Sequence, residues 1–445
     1  MSLRWGSATL AIGVLFTLVP SEAWAEGAML DERTVVERAV KSSALLDAAR
    51  SDSRAARRAE GAADRARLPD LGVQARYVRL SSVPERFRTL ALPGEGGSFT
   101  IPQVLDTANV RIVAQVPLTD PFLRLASAAE AAGHAALAKE LEERATLVRV
   151  ELEARTSYLG WVRAGRGVAV AREARDVARA EWRHAETLVT TGISAPSKAL
   201  PFQTAAAAAE SRVVAAETEE AVAAAALRRY LPDETGPFRR ASDAPLEAPP
   251  NASSLPPAIA SLSAAADAEA ARARAETWAM FPRLSAFAAI DLSAPSPRAF
   301  AASSFTPLAT WELGVTLEWS LSSVTTSESG AATARKEAAL ARVRDARNEW
   351  RSTLEATRAL VAGARARVPI ADETLRVARL AAEQRRGEFR AGVVTSLDVL
   401  MAEALLVQAA ENAADAELEA RLARARLDAV EGRVVSARRA LGEAK

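Results

Sequence analysis

The sequence predicts a mainly α-helical fold with a small β part, in which long helices flank two pairs of strands. Ala, Arg, Glu and Leu dominate the 445 residues, a composition typical of long helices or coiled coils. Four segments of about ten residues instead alternate apolar and polar residues, which is the period of a β-strand. The order of helix, strand pair and long helix pair occurs twice, with Pro69 and Pro282 separated by 213 residues and Gly192 and Gly392 by 200. These spacings indicate an internal duplication.

The N-terminus has the three-part layout of a secretory signal peptide. Arg4 precedes an apolar run, residues 8–19, and a small-x-small site ends at Ala25. We therefore predict a signal peptide over residues 1–25 with cleavage after Ala25; an uncleaved anchor is the alternative. After residue 25 no stretch approaches 18 apolar residues, so we expect any membrane span to consist of strands.

Each half of the mature chain is predicted to contain the same elements. The first repeat, residues 26–231, has a helix over 30–67, capped by Asp31, strands over 71–80 and 109–118, and long helices over 123–190 and 198–230. Residues 232–257 are rich in Pro, Ser, Asp and Glu and are predicted to form a linker. The second repeat, residues 258–445, has a helix to about residue 280, strands over 283–292 and 311–321, and long helices over 326–390 and 396–441.

The strands carry an apolar row on one face and polar residues on the other. In the segment 311–321, for example, Trp311, Leu313 and Val315 alternate with Glu312 and Gly314. The apolar row faces a core in a soluble sandwich, or lipid in a membrane barrel whose polar row lines a water-filled lumen. Four strands cannot close a membrane barrel, since the smallest have about eight. The membrane interpretation therefore requires oligomerisation, and three copies would supply twelve strands.

The long helices leave two architectures open. Leu397, Leu400, Ala404 and Val407 follow the three-then-four spacing of a coiled-coil seam, which Glu411 interrupts. Abundant alanine permits close helix approach. The helices could form a solvated coiled-coil rod, or a wall of helices packed side by side into a hollow cylinder.

Composition and motifs argue against several functional classes. The 57 Lys and Arg nearly balance the 56 Asp and Glu, which disfavours a nucleic-acid surface. Without cysteine the chain cannot form disulfides, thiolate zinc sites or a lipidated N-terminal Cys. The two histidines, His134 and His184, lie far apart, and no phosphate-binding loop, metal-ligand spacing or nucleophile elbow occurs. We therefore predict no enzyme, no cofactor, and no catalytic or metal site.

Nearly the whole mature length resembles the TolC-like outer-membrane efflux and secretion channels. Residues 30–40, LDERTVVERAV, resemble the opening segment of that family. The prolines of Leu68-Pro69 and Phe281-Pro282 resemble those that end the first helix of each repeat before its strand. Residues 392–400, GVVTSLDVL, resemble the helix-turn-helix at the periplasmic tip.

This resemblance implies a homotrimer that combines a twelve-stranded β-barrel of antiparallel transmembrane strands with a long α-helical coiled-coil barrel. The expected location is the outer membrane of a Gram-negative cell, extending into the periplasm. The expected function is a passive exit duct of a tripartite efflux pump or type I secretion system. Its expected partners are a periplasmic membrane-fusion adaptor, an inner-membrane pump and outer-membrane lipid. A periplasmic structural coiled-coil protein without channel activity is the alternative.

The resemblance also nominates residues at the tip. Asp398 matches a gate aspartate of the family, Met401 occupies the position of a possible second acidic residue, and Lys198 is the first-repeat equivalent of Asp398. Asp398 could instead be a first-turn carboxylate that favours the helix dipole, and Lys198 a solvent-facing residue. The segments 191–197 and 391–397 are the expected adaptor contacts, with six residues singled out: Gly192, Ile193, Ser194, Gly392, Val393 and Val394.

Overall fold

A computed structural model describes residues 28–84, 88–91, 98–100, 105–232, 234, 236–240, 255–294, 308–319 and 322–434. Seven helices and eight strands are defined in this part of the chain. In chain order they are β1 (Ala28–Leu30), α1 (Glu32–Ser42), α2 (Ala44–Arg65), β2 (Asp70–Arg79), β3 (Thr89–Ala91), β4 (Ser98–Thr100), β5 (Asp106–Pro117), α3 (Arg124–Thr190), α4 (Leu200–Arg228), β6 (Phe238–Arg240), α5 (Pro257–Trp278), β7 (Arg283–Ala294), β8 (Leu308–Glu318), α6 (Ser323–Arg390) and α7 (Ser396–Val430).

The single helix expected over residues 30–67 is wrong, because two helices occupy this segment. Asp31 caps α1 by accepting a hydrogen bond of 2.6 Å from the Thr34 amide. Ser43 then leaves helical geometry and caps α2, accepting a hydrogen bond of 3.3 Å from the Leu46 amide. A serine hydroxyl offers the backbone this alternative to a continuous helix.

Helix ends also differ from the sequence-based expectation near residues 198 and 441. Residues Pro196–Lys198 form a 3₁₀ turn, so α4 begins at Leu200 instead of residue 198. The last helix does not reach residue 441, because α7 ends at Val430 and Gly432 follows with a φ of 69°. A Cβ at Gly432 would lie 2.6 Å from the Pro257 side chain, so the chain turns closely against the start of α5. Residues 435–441 lie outside the described part.

Four strands form one antiparallel sheet in the order β2-β5-β7-β8. β2 and β5 pair in the first repeat, and β7 and β8 pair in the second. Pairing of β5 with β7 joins the two repeats, with Ile112 opposite Ile290. The last strand begins at Leu308, three residues before the expected start, while residues 320–321 lie outside the described part. Two short pairs were not anticipated: β1 pairs in parallel with β6, inside the expected linker, and β3 pairs with β4, inside an expected loop.

The helices pack side by side as a layer. Towards the tip the order is α4, α3, α7, α6, although α4 also contacts α7 and α6 just above the turns, and towards the sheet the order is α2, α3, α5, α6. The same helix, α6, therefore forms one edge throughout, while α4 and α2 form the other. Both sheet and helix layer thus end in first-repeat elements on one side and second-repeat elements on the other.

A buried core holds the middle of the molecule together. Leu30, Val36, Tyr158 and Trp161 belong to this core, so the strand β1 contributes to it as well as α1 and α3. The Arg155 guanidinium next to this core donates to Glu32 at 2.6 Å and to Asp428 at 3.5 Å. These ion pairs join α1, α3 and α7, and all three side chains are buried. Burial raises the pKa of Asp428, although neighbouring arginines oppose that shift.

The predicted signal peptide, including Ala25, lies outside the described residues. Across the ranges that the structure describes, no helix combines the length and apolar character needed to cross a membrane.

Candidate functional site at the sheet and the helical tip

The apolar row of the sheet is exposed instead of covered by other elements. Trp311 is 76% exposed and Leu313 77% exposed, near the middle of the edge strand β8. The row continues along β8 and across the other strands through large side chains that are also exposed: Leu71, Val73, Tyr77, Val116, Ile290, Leu292, Val315, Leu317 and Trp319. A soluble sheet would direct this face into a core. Here nothing in the described part of the chain covers it.

The polar face of the same sheet is the more shielded one. Ala289 on this face is only 2% exposed, while its neighbour Ile290 on the apolar face is exposed. Across this face Arg111 lies 3.7 Å from Asp291 and 3.3 Å from Glu312, linking three strands by ion pairs. This shielding indicates that the sheet curls with its polar face on the inside.

An aromatic ring fills a gap on the polar face. Phe287 lies opposite Gly314, and a Cβ at Gly314 would come within 2.8 Å of the ring. An aromatic side chain over a strand glycine compensates for the missing side chain. Position 314 therefore needs glycine because of close packing, since its φ is not in the left-handed region.

The two turns at the helical tip have the same backbone geometry. Gly192 and Gly392 adopt φ values of 74° and 77°, the left-handed region that glycine enters without strain. In the second turn the Gly392 amide donates to Phe389 and the Val393 amide to Glu388, each at 2.9 Å. The first turn has the equivalent bonds, from Gly192 to Val189 and from Ile193 to Leu188, each at 3.0 Å. This pair of bonds is the Schellman motif that ends α3 and α6.

Asp398 lies in the first turn of α7 and takes part in a capping box. Its carboxylate accepts hydrogen bonds from the Thr395 amide at 2.8 Å and the Thr395 hydroxyl at 2.6 Å. In return the Asp398 amide donates to the Thr395 hydroxyl at 3.4 Å. The bonds from Thr395 hold the pKa of Asp398 below its ordinary value. The alternative role considered for Asp398, a carboxylate in the first turn of a helix, therefore matches its capping contact with Thr395. The Asp398 side chain is also exposed.

The other two gate candidates are exposed as well. Lys198 ends the 3₁₀ turn before α4, and Met401 lies one turn beyond Asp398 on α7. The adaptor-contact candidates divide into two groups. Ile193 is 75% exposed and Val393 74% exposed at the apices of the two turns, next to Gly192 and Gly392. Ser194 is half-buried, and Val394 packs inward against an apolar cluster.

This tip cluster joins the two repeats. Ala185 of α3, Phe202 of α4 and Val399 of α7 are buried together. The Phe202 ring also contacts Phe389 of α6, with centroids 5.3 Å apart. All four long helices therefore meet just above the turns.

Ion pairs beside the cluster were not anticipated from the sequence. Arg386 of α6 forms a two-bond ion pair with Glu403 of α7, one bond being 3.0 Å. Arg390 of α6 lies 3.6 Å from the buried Glu181 of α3. Glu181 and Arg390 are 209 residues apart in the sequence, so no local pattern pointed to this pair. Sequence separation from the tip glycines is the one signal that could have suggested the pair, since Glu181 and Arg390 each lie within eleven residues of a tip glycine.

Within the described ranges, no group of three or more His, Cys, Asp or Glu residues could hold a metal ion. His134 of α3 lies 3.7 Å from Glu130 on the helix surface, and His184 is half-buried on the same helix.

Comparison with known proteins shows one family model and several solved structures that are similar to this chain. Residues 248–433 match the model of the family described as outer membrane efflux protein. No curated protein matches the chain in sequence.

Solved structures match over most of the chain. CusC matches with a TM-score of 0.76 at 18% identity, covering 96% of this chain and 98% of its own. The outer membrane protein VceC from Vibrio cholerae matches with a TM-score of 0.74 at 18% identity, covering 91% and 97%. The CmeC outer membrane channel of Campylobacter jejuni matches with a TM-score of 0.75 at 14% identity, covering 97% and 94%. The fold is shared although the sequences have diverged widely.

Proposed function

We propose that this chain is an outer-membrane exit duct, because residues 248–433 match the outer membrane efflux protein family and most of its length folds like solved outer-membrane channels. The duct serves a tripartite efflux pump or a type I secretion system. It conducts passively, and its helices extend from the outer membrane into the periplasm. An inner-membrane pump and a periplasmic adaptor supply the substrate and the energy.

The observation that carries this proposal is the sheet with its exposed apolar face and shielded polar face. Each large apolar side chain is worth about 1.5–3 kcal/mol when it leaves water. A row of them left in water gains none of this free energy, and an exposed apolar patch of this size marks a surface that contacts a partner or a membrane. Contact with lipid recovers this free energy, while Arg111, Asp291 and Glu312 on the inner face suit a water-filled lumen.

The edges of the sheet support assembly from several copies. β2 and β8 end the sheet order, so each has a row of backbone groups that pair with no other strand among the described residues. In lipid such groups cost several kcal/mol each. Pairing β2 of one copy with β8 of the next removes this cost, and three copies complete twelve strands.

The helix layer supports the same head-to-tail contact. Its edge helices carry exposed apolar residues, Val214 on α4 and Ile370 on α6. First-repeat edges therefore meet second-repeat edges in sheet and helices alike. A head-to-tail interface of this kind closes into a ring when its rotation is suitable, and we propose a homotrimer.

At the tip, Asp398 is the proposed gate residue of the pore. Three copies near the axis would form a ring of carboxylates that favours cations. Met401, one turn above, adds an apolar constriction, while Lys198 faces solvent. Ile193 and Val393 at the apices supply the apolar contacts for the adaptor.

Fractionation and bilayer recordings test the channel proposal. The protein is expected in the detergent-soluble outer-membrane fraction, and the purified protein should form discrete conductances in planar bilayers. Recovery in the soluble periplasmic fraction without detergent would instead support a structural coiled-coil protein. Crosslinking to three times the protomer mass, lost on proline substitution at the unpaired edge of β8, would test the ring.

Two variants separate the pore and capping contributions of Asp398. Asp398→Asn removes the charge but keeps an oxygen that can accept from the Thr395 amide, whereas Asp398→Ala removes both. A pore ring predicts that both variants weaken block by multivalent cations. If block stays unchanged in both and only Asp398→Ala loosens the tip, Asp398 acts as a cap and not as a gate.

A further inference from the structure

A buried carboxylate lines a cavity just above the tip. The cavity has a volume of about 160 Å³ and lies between α3, α4 and α7. Glu181 of α3 lines it and is only 6% exposed. Within the described part of the chain, the Glu181 Oε2 atom has no hydrogen-bond partner.

The neighbouring charges leave this oxygen unsatisfied. Arg390 lies 3.6 Å from the other carboxylate oxygen, Oε1, which is beyond hydrogen-bond distance. Glu403 of α7 also lines the cavity, but both of its oxygens bind Arg386. Arg212 of α4 also lines the cavity, and it donates no hydrogen bond to Glu181 Oε2.

The remaining walls are apolar. Five of the lining residues are alanines of α3 and α4, and Phe202, Val399 and Val407 add larger apolar side chains. A cavity of roughly 150 Å³ with apolar walls holds a benzene-sized molecule. A buried carboxylate requires a donor, and a charged donor satisfies it best. The cavity therefore combines one anionic anchor with room for about six carbon atoms.

We infer that this cavity is a binding site for small primary alkylammonium ions, with the ammonium group on Glu181 and the alkyl chain against the alanine walls. The lining helices belong to both repeats, so a bound ion stabilises the contact of α3 and α4 with α7 above the tip. The site is separate from Asp398 and does not depend on the proposed channel function.

Calorimetric titration of the detergent-purified protein with n-hexylammonium tests the site. Wild type should bind it saturably, and hexan-1-ol, which has the same chain without the charge, should bind at least tenfold more weakly. Glu181→Gln should weaken hexylammonium binding at least tenfold. Glu186→Gln removes an exposed carboxylate from the same helix outside the cavity lining and should leave binding unchanged. Hexylammonium also partitions into the detergent micelles, but the heat of this partition is the same for every variant and cancels when the variants are compared.

A second variant keeps the test decisive if Glu181→Gln fails to fold. Ala205→Leu fills the cavity while Glu181 stays intact, and it should also abolish saturable binding. Three outcomes would overturn the inference: no saturable binding to wild type, undiminished binding to either cavity variant, or a crystal grown with hexylammonium that shows only water at Glu181.

Discussion

Both repeats turn at their tips on a glycine with positive φ, but the helices that follow begin by different means. In the second repeat α7 starts four residues after Gly392, and the Thr395–Asp398 capping box satisfies its first amides. In the first repeat α4 starts eight residues after Gly192, behind a 3₁₀ turn without a side-chain cap. The start of α7 therefore has a side-chain cap of its own, whereas the start of α4 has none and relies on the packing of Phe202 in the shared tip cluster.

This difference shows that the duplicated chain has kept the turn and changed how the next helix is anchored. Substitutions of the anchors and of the shared glycines test that division. Phe202 and Thr395 are the anchors that differ between the repeats, and the two glycines are the element that they share.

The largest effect is expected from Phe202→Ala, because this side chain is buried among three helices. Loss of a buried phenylalanine costs about 3–5 kcal/mol. Denaturant unfolding and hydrogen exchange should both show the loss, with exchange accelerated in the first tip. Leu200→Ala on the same helix removes an exposed side chain and should change stability by less than about 1 kcal/mol. Equal effects of the two variants would refute the packing anchor.

The two glycines should respond alike, because they share one backbone conformation. Gly192→Ala and Gly392→Ala are each expected to cost about 1–2 kcal/mol through left-handed strain, since no atom lies within 4 Å of either added Cβ. Asparagine at the same positions should cost less. Gly363→Ala, in the interior of α6 with similar open space, should be neutral or stabilising. Thermal unfolding of these five variants checks the ranking.

Thr395→Ala should destabilise the second tip alone, by about 1 kcal/mol, because it removes the cap of α7. The matching residue of the first repeat is Ala195, which makes no side-chain cap, so Ala195→Ser should cost nothing. Hydrogen exchange at the starts of α4 and α7 resolves the two sites. Accelerated exchange at both starts in Thr395→Ala would mean that the tips are not anchored independently.

The smallest effect is a pH dependence confined to the second tip. The hydrogen bonds from Thr395 lower the pKa of Asp398 from its ordinary value of 3.8. A lowered pKa contributes stability above the unfolded value, and that contribution disappears as the pH falls through the folded value. Between neutral pH and about pH 3, exchange at the start of α7 should therefore rise relative to the start of α4, after correction for intrinsic rates. The difference should vanish in Asp398→Asn.

Local periodicity explains how much of the fold could be predicted from the sequence. Alternation in segments such as 311–317 predicted both the strands and their faces, and the glycines at 192 and 392 predicted the turns. The prediction of a single first helix was wrong because the Ser43 hydroxyl caps a second helix inside an otherwise helical pattern. The strand β6 was missed because only three residues pair, inside a Pro-rich segment.

Local periodicity could not predict contacts between residues that are far apart in the sequence. Arg155 binds Glu32 and Asp428 across 123 and 273 residues, and each residue on its own has the pattern of an ordinary helix position. The cavity at Glu181 depends on how three helices cross. The sequence pattern pointed to Asp398 and the two apices. It did not predict the hydrogen bonds between Asp398 and Thr395 or the inward packing of Val394.

The unlike edges of the protomer have a genetic consequence for the proposed ring. Each joint would use the β2 and α4 edge of one copy and the β8 and α6 edge of the next. A subunit damaged at only one edge can still bind a healthy neighbour through the other, and it then blocks closure of the ring that it has entered. Alleles that damage one edge should therefore be dominant over wild type, whereas alleles that prevent folding should be recessive.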